Sequence, residues 1–354
     1  MNKTAVIFSP KYYQHNPGRN HPESARRLKA IVNELKRGKL SRSKNWQFIE
    51  PEKASIENVK LVHDIEYIRF IDAVCKSGGG LLDSEDTVAS RKSFEVALYA
   101  VGGTLKAVNL IMEGKFENAF AAVRPPGHHA ERFRAFGFCI FNNVSIAAEY
   151  LLKKFGLKRI LILDIDAHHG NGTQEIFYET DEVLYISLHQ DPRIFPGTGF
   201  IDEIGEGKGL GYNVNVPLPF RTGDHVYLRT VREVVTPIIR EYKPQFMLVS
   251  AGLDGHYADP IGNLSLSTLC YQEIYETTVN LASKLCEGKL VSVLEGGYNP
   301  KFVGKIAAAI IAKMSGTSYS INEKAPPTSK HRERKGEKII GEVKKVQRNF
   351  WRIN

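Results

Sequence analysis

A chain of 354 residues that is 42% hydrophobic and 25% charged has a globular composition, which excludes a disordered or fibrous protein, and its length suits one long α/β domain. The net charge of +9 invites a nucleic-acid role, but residues 322–354 hold ten Lys/Arg against four Asp/Glu and the rest holds 38 against 35. The excess belongs to the tail, so nucleic acid is not expected as a direct ligand.

No run of about 18 apolar residues announces a membrane span, and Met1–Pro10 does not read as a signal peptide. Cys75, Cys139, Cys270 and Cys286 make no CxxC pair, as in a reduced, cytoplasmic protein. In chain order, the pattern predicts a strand at Thr4–Phe8 and helices at His21–Leu40 and Ser93–Met112. A strand at Ala119–Val123 and a helix at Ser145–Phe155 follow. Strands come next at Arg159–Asp164, Val183–Leu188 and Asn213–Val216, then a helix at Tyr227–Glu241. A strand at Gln245–Ser250, a helix at Leu266–Cys286 and a strand at Leu290–Leu294 complete the set. Several strands are nearly continuous apolar runs, such as Ile160–Leu163 and Phe246–Val249, which suits burial on both faces. The alternation predicts one α/β domain over residues 1–321, with a mostly parallel sheet flanked by helices. Residues 322–354 read as a basic linker, over Lys324–Lys338, and a C-terminal amphipathic helix. Ile339, Ile340, Val343, Val346 and Phe350 fall on one face of that helix, expected to dock on the domain. The alternative is a basic amphipathic helix for an acidic partner or a membrane surface.

Ligands of open α/β sheets bind beyond the carboxyl ends of the strands, and the unusual polar clusters sit there. Ala119–Val123 runs into Arg124-Pro-Pro-Gly-His128-His129, and Arg159–Asp164 into Asp166, His168, His169 and Asn171. Val183–Leu188 ends on His189, Gln245–Ser250 leads to Asp254 and His256, and Leu290–Leu294 leads to Glu295-Gly-Gly-Tyr298. In an extended stretch, period two puts Asp164, Asp166 and His168 on one side. With Asp254 as a further donor they suit a hard to borderline cation with one open position, as catalytic zinc requires. Adjacent His128 and His129, on a backbone stiffened by Pro125 and Pro126, can offer one general base and one acid or electrostatic aid. Tyr298 can donate to a developing oxyanion.

These residues resemble the histone deacetylase superfamily. The resemblance rests on Arg124–Ala130 (RPPGHHA), Gly137–Asn142 (GFCIFN), Asp164–Thr173 (DIDAHHGNGT), Phe195–Gly199 (FPGTG), Ala251–Asp254 (AGLD), Glu295–Asn299 (EGGYN) and His21-Pro22-Glu23, and spans about residues 1–321. Asn171 and the HPE segment look more like the class II, acetoin-utilisation and acetylpolyamine amidohydrolase branches than like class I. The resemblance implies the arginase/deacetylase fold. It implies a Zn2+-dependent hydrolase that releases acetate from an acetylated amine, with acetyl-lysine in protein as the expected substrate. An acetylpolyamine or other small acyl amide is the alternative, and an acyl-lysine-binding module without chemistry is another. It implies that Asp166, His168 and Asp254 are the metal ligands, and that His128 and His129 are catalytic, with Asp164 and Asn171 as their respective partners. Tyr298 matches the tyrosine that polarises the scissile carbonyl. Gly137, Phe138 and Phe195 match the channel lining, and Asp86 matches a rim aspartate that grips substrate backbone. A structural K+ is implied around Asp164, Asp166, His168 and Ser187. Arginase-like relatives use two metals, but Gly170 and His256 stand where further carboxylates would be needed, so one catalytic ion is expected. Oligomeric state is left open.

Overall fold

The computed structural model describes residues 4–38, 40–83 and 86–353. Its centre is an eight-stranded sheet. The strands are β1 (Thr4–Ile7), β2 (Trp46–Ile49), β5 (Asn118–Ala121), β6 (Ile160–Asp164), β7 (Val183–Gln190), β8 (Asn213–Leu218), β9 (Phe246–Ala251) and β10 (Leu290–Leu294), in the order β2-β1-β5-β10-β9-β6-β7-β8. Every neighbouring pair in it is parallel. A separate antiparallel hairpin joins β3 (Gly79–Leu81) and β4 (Val88–Ser90). The apolar runs occupy the middle of the sheet because helices cover both faces there, leaving no face for polar residues. All residues of β5, β6, β9 and β10 are buried.

Two groups of helices enclose the sheet. Ser93–Met112 and Asn143–Phe155 pack on each other and against β5 and β6, while Arg26–Leu35, Val303–Met314 and Thr268–Cys286 form the second group. Ser93–Met112 is long and apolar enough to cross a membrane by length and composition, but 67% of its apolar window is buried inside the fold. Its character is that of a core helix, hydrophobic nearly all round.

Several expected elements are redrawn. The helix expected over His21–Leu40 spans only Arg26–Leu35, because His21-Pro22-Glu23 is diverted into a buried polar turn described below. The helix expected at Tyr227–Glu241 runs from Asp224 to Tyr242 with a π-helical stretch at Val231–Val235. The stretch expected as linker up to Lys338 turns helical at Lys330, where Ser329 caps the helix by accepting from the Arg332 N–H. This last helix, Lys330–Gln347, buries Gly336, Ile340, Val343 and Gln347 and packs on β8 and Asp224–Thr230. Val226 presses so closely on Gly336 that a Cβ there would lie 2.5 Å from it. Past the helix, Trp351 is buried and its indole N–H donates to the Gly211 carbonyl at 2.9 Å.

The order of strands places the chemistry. β5, β10, β9 and β6 are consecutive in the sheet although far apart in sequence, and their carboxyl ends lie level: Ala121 pairs with Val293, Leu294 with Ala251, and Ser250 with Asp164. Between β5 and β6 the chain steps across two strands that return later, which opens a crevice at their ends.

Candidate active site

Three donors converge at the ends of β6 and β9. The His168 Nδ1 lies 3.0 Å from Asp254 Oδ2 and 3.3 Å from Asp166 Oδ1, and one donor atom from each of the three residues falls within a 4.8 Å group. All three side chains are buried. Their remaining oxygens are tied to backbone: Asp166 Oδ2 accepts from Gly296 N–H at 2.8 Å and Asp254 Oδ1 from Ala167 N–H at 2.9 Å. Two glycines keep the space clear. A Cβ on Gly296 would lie 2.6 Å from both Asp166 Oδ2 and Asp254 Oδ2, and one on Gly252 would lie 2.2 Å from Asp166 Oδ2.

These residues fit a metal ion. Tetrahedral bonds of roughly 2.0–2.2 Å, typical for zinc with N and O ligands, set ligand atoms roughly 3.3–3.6 Å apart, close to the separations seen. The metal-free electrostatics agree. Burial and the facing Asp166 push the Asp254 carboxyl up to about 7, and the two aspartates, against the cost of burial, lift His168 to about 10. Two buried carboxylates side by side are a costly arrangement that a cation relieves. His128, Cys139 and Glu295 form a second convergent group of buried donors; Glu295 Oε2 accepts from the N–H groups of Gly127 and His128 at 2.6 and 3.2 Å, while Oε1 is buried without a hydrogen-bond partner among the described residues.

The tandem histidines sit above this centre with their rings 3.9 Å apart. His128 Nδ1 lies 3.0 Å from Asp164 Oδ2, which also accepts from the Tyr185 hydroxyl at 3.1 Å. Burial lowers the His128 pKa, yet the carboxylates of Asp164 and Asp166 outweigh it and raise it to about 10. His129 Nδ1 donates to Asn171 Oδ1 at 2.8 Å. That direction is fixed from the far side, because the Asn171 amide donates to Glu131 Oε1 at 2.8 Å, leaving its oxygen for the imidazole. His129 Nε2 is therefore the unprotonated nitrogen. Burial and the neighbouring charge of His128 hold its pKa well below 6.5.

Aromatic rings surround the histidines, among them the residues expected to line a channel. Phe195 stands edge-on to His129 at 5.0 Å and to His168 at 5.7 Å. Opposite it, Phe138 meets the Tyr298 ring at 5.7 Å. Gly137 has φ +52° and a Cβ there would lie 2.5 Å from the His129 ring and 3.0 Å from Phe195, so only glycine leaves the channel open. Phe138 also has a positive φ, +70°, a costly conformation for a side chain with a Cβ. Asp86 is exposed, its carbonyl lies 3.1 Å from His21 Nε2, and the His21 ring packs on Phe138. Ser187 is paired in register with Asp164, and its hydroxyl is 2.7 Å from His189 Nδ1.

The structure adds residues to which the sequence assigned no role. Phe136 stacks on Phe195 at 5.0 Å. Asp259 Oδ2 accepts from the Tyr298 and Asn299 N–H groups at 2.6 and 3.2 Å. Behind Tyr298, the Arg27 guanidinium lies 4.9 Å from the centre of its ring and donates to the Gly297 carbonyl at 2.6 Å and to the Glu295 carbonyl. Arg27 also pairs with Glu23 at 3.0 Å, and Glu23 takes a fork of two bonds from Arg124 at 2.8 and 2.7 Å. This fully buried network ties the HPE turn to the start of the RPPGHH loop and to the Tyr298 loop. The HPE, RPPGHHA and EGGYN segments, which carry Glu23, Arg124 and the two accepting carbonyls, were its trace in the sequence.

Comparison with known proteins agrees with the geometry. The histone deacetylase domain family matches residues 21–314. A protein of Archaeoglobus fulgidus named "Probable deacetylase" is 42% identical over 99% of both chains. A "Histone deacetylase-like amidohydrolase" of Pseudomonas aeruginosa is 34% identical over 85% of this chain and 78% of its own length. The solved structure of the HDA15 HD domain superposes with a TM-score of 0.88 at 34% identity, covering 99% of this chain and 95% of that one. The strand ends, their buried donors and these relatives agree: the chain belongs to the histone deacetylase family and is a deacetylase-type hydrolase acting on amides.

Proposed function

We propose that the chain is a zinc-dependent deacetylase acting on an acetylated lysine side chain in a polypeptide. One observation carries this: the Asp166–His168–Asp254 triangle adjoins the tandem histidines, with His128 Nε2 3.8 Å from Asp166 Oδ2 and Phe195 edge-on to both His129 and His168, and on our reading Phe138 and Phe195 wall a passage down to it. A narrow aromatic passage suits the methylene chain of lysine, with the acyl group delivered to the donors below. Asp166, His168 and Asp254 would hold the ion. When bound, zinc supplies a Lewis acid for the acyl oxygen and acidifies a water.

The chain's own groups do the rest. His129 Nε2 takes the proton of the attacking water, since Asn171 keeps the proton of the ring on Nδ1. The Tyr298 hydroxyl donates to the oxygen of the tetrahedral carbon. Burial holds its pKa well above 10, so it stays a donor. His128, kept cationic by Asp164, stabilises the negative charge that develops. The carbon–nitrogen bond breaks as the amine leaves with the proton that His129 took. Arg27, pressed on the Tyr298 ring, and Asp259, on its backbone, position that phenol. The four cysteines, all buried and unpaired, support a reducing, cytoplasmic setting.

The test is direct. The purified chain is expected to carry one zinc per molecule by elemental analysis, and to cleave acetyl-lysine peptides faster than acetylated polyamines, with loss on chelation. Tyr298→Phe should lower turnover by roughly 10²–10³ with metal retained. Full activity in Tyr298→Phe would remove the phenol from the mechanism, and faster turnover of polyamines would remove the peptide substrate.

A further inference from the structure

A groove of ≈ 440 Å³ lies between the last helix and the loops after β7 and β8. Its floor includes Phe220 and Ile339, and its walls carry Arg193, Arg332, Lys335 and Lys338. Arg332, Lys335 and Ile339 fall at i, i+3 and i+7, so one helix face supplies both floor and charge. Arg332 and Lys335 have no ion-pair partner among the described residues. Lys338 meets Glu342 only at 3.5 Å, and Arg193 pairs with Asp191. Of the nearby acidic side chains, Asp191 lines the groove and is taken up by Arg193, and Glu337 turns to Arg229 at 2.9 Å. One loop serves both places: Arg193 of the groove is two residues from Phe195, at most about 7 Å along the chain.

We infer that this groove binds an acidic stretch of the polypeptide whose acyl-lysine occupies the channel. The inference rests on the deacetylase reading of that channel. Three observations favour an acidic peptide. The groove's helical cations, Arg332 and Lys335 without an ion-pair partner among the described residues and Lys338 with one at 3.5 Å, span one short stretch of about 9 Å, the length of roughly three extended residues. The floor of Phe220 and Ile339 offers apolar contact that a phosphate backbone does not use. The rest of the domain is nearly balanced in charge, so no wider basic track continues for a nucleic acid. The apolar side of the helix is already spent, with Ile340 and Val343 buried on the domain, so a bilayer would meet only its charged side. Acidic residues within about six positions of the acyl-lysine would reach the groove.

The experiment uses the full chain and acetyl-lysine peptides that differ only in three flanking residues, acidic or neutral, placed on either side. Wild-type protein should favour an acidic peptide by about tenfold in kcat/KM, through KM, the sum of a few exposed charge pairs. High salt should erase the preference. The combined variant Arg332→Ser, Lys335→Ser and Lys338→Ser should lose it while cleaving a minimal acetyl-lysine amide at the wild-type rate. Equal rates on acidic and neutral peptides, or a preference that survives in the variant, would overturn the inference. So would tight binding of duplex DNA or anionic vesicles that an acidic peptide cannot displace. If the minimal amide itself is not cleaved, the deacetylase reading is what fails, and fluorescence anisotropy of an unacetylated acidic peptide still decides whether the groove binds it.

Discussion

Two pairs of adjacent histidines follow strands of the same sheet, His128-His129 after β5 and His168-His169 after β6, with β10 and β9 between them. Their first members behave alike. Each meets buried carboxylates, His128 with Asp164 and His168 with Asp166 and Asp254, and each is raised to about 10 in the metal-free protein. Their second members are alike in one respect only: burial holds both well below 6.5. His129 faces the channel, anchored by Asn171. His169 is turned under the loop that carries Phe195, with its Nδ1 3.1 Å from the Thr198 hydroxyl and its ring 4.8 Å from that of His189. A depressed pKa makes an imidazole available as a base, but only position makes it one. On the proposed mechanism the second members divide into a catalytic partner and a scaffold partner by direction alone.

The largest expected effect falls on the first members. Asp254→Ala removes one of three converging donors, so bound zinc should fall far below one per chain and activity should drop to the level of chelated protein. A variant that keeps a full equivalent of metal by elemental analysis would dissolve the triangle as a metal site. His129→Ala comes next. Loss of a general base costs typically 10²–10⁴, and here metal content should stay at wild type because Asn171, not the triangle, holds His129. If activity falls only with metal, His129 belongs with the ligands.

The sequence made these roles partly legible. Asp166, His168 and Asp254 follow strands whose apolar runs are unambiguous, so their meeting was implied once the strands were parallel and adjacent. The direction of the second histidines was not: β5 ends at Ala121 and β6 at Asp164, so neither His129 nor His169 lies on a strand, and Asp166 and His168 meet through a bend rather than through the extended period expected of them. The Glu23–Arg27–Arg124 network was also hidden. Glu23 and Arg124 are 101 residues apart, and nothing local marks a glutamate that will be fully buried. Its burial is what shortened the expected helix at His21–Leu40. Edge strand β2 is only partly buried and too short for a period, while Val303–Met314 is buried almost all round and so shows no single apolar face.

Asn171→Asp sharpens the contrast between the two partners of the tandem pair. An anionic partner would favour the protonated ring, raising the His129 pKa by about 1–3 units. His129 acts unprotonated, so a raised pKa moves the acid limb of the kcat/KM profile to higher pH. In the wild type the limb should lie below 6.5, the direction of the His129 shift. Rates measured across pH should show the limb moving up in the variant with the plateau largely preserved. An unchanged limb would mean that another group sets it.

The smallest effect is expected at His169, and it is the strictest test of the division. His169→Asn keeps a polar atom near the position of Nδ1, so the contact with Thr198 can persist. What is lost is ring volume against His189 and Gly199, where a Cβ on Gly199 would already lie 2.5 Å from the His169 ring. Loss of packing of this size costs roughly 1–2 kcal/mol, a drop of about 2–4 °C per kcal/mol in Tm for a large domain. Turnover should change by less than about twofold, since no proton passes through His169, and zinc content should be unchanged. The discriminating reading is the ratio of the two effects. A variant that melts lower but turns over normally keeps His169 in the scaffold. A loss of kcat approaching that of His129→Ala, in protein with full metal and an unshifted Tm, would mean that the second pair also handles protons and that direction alone does not separate them.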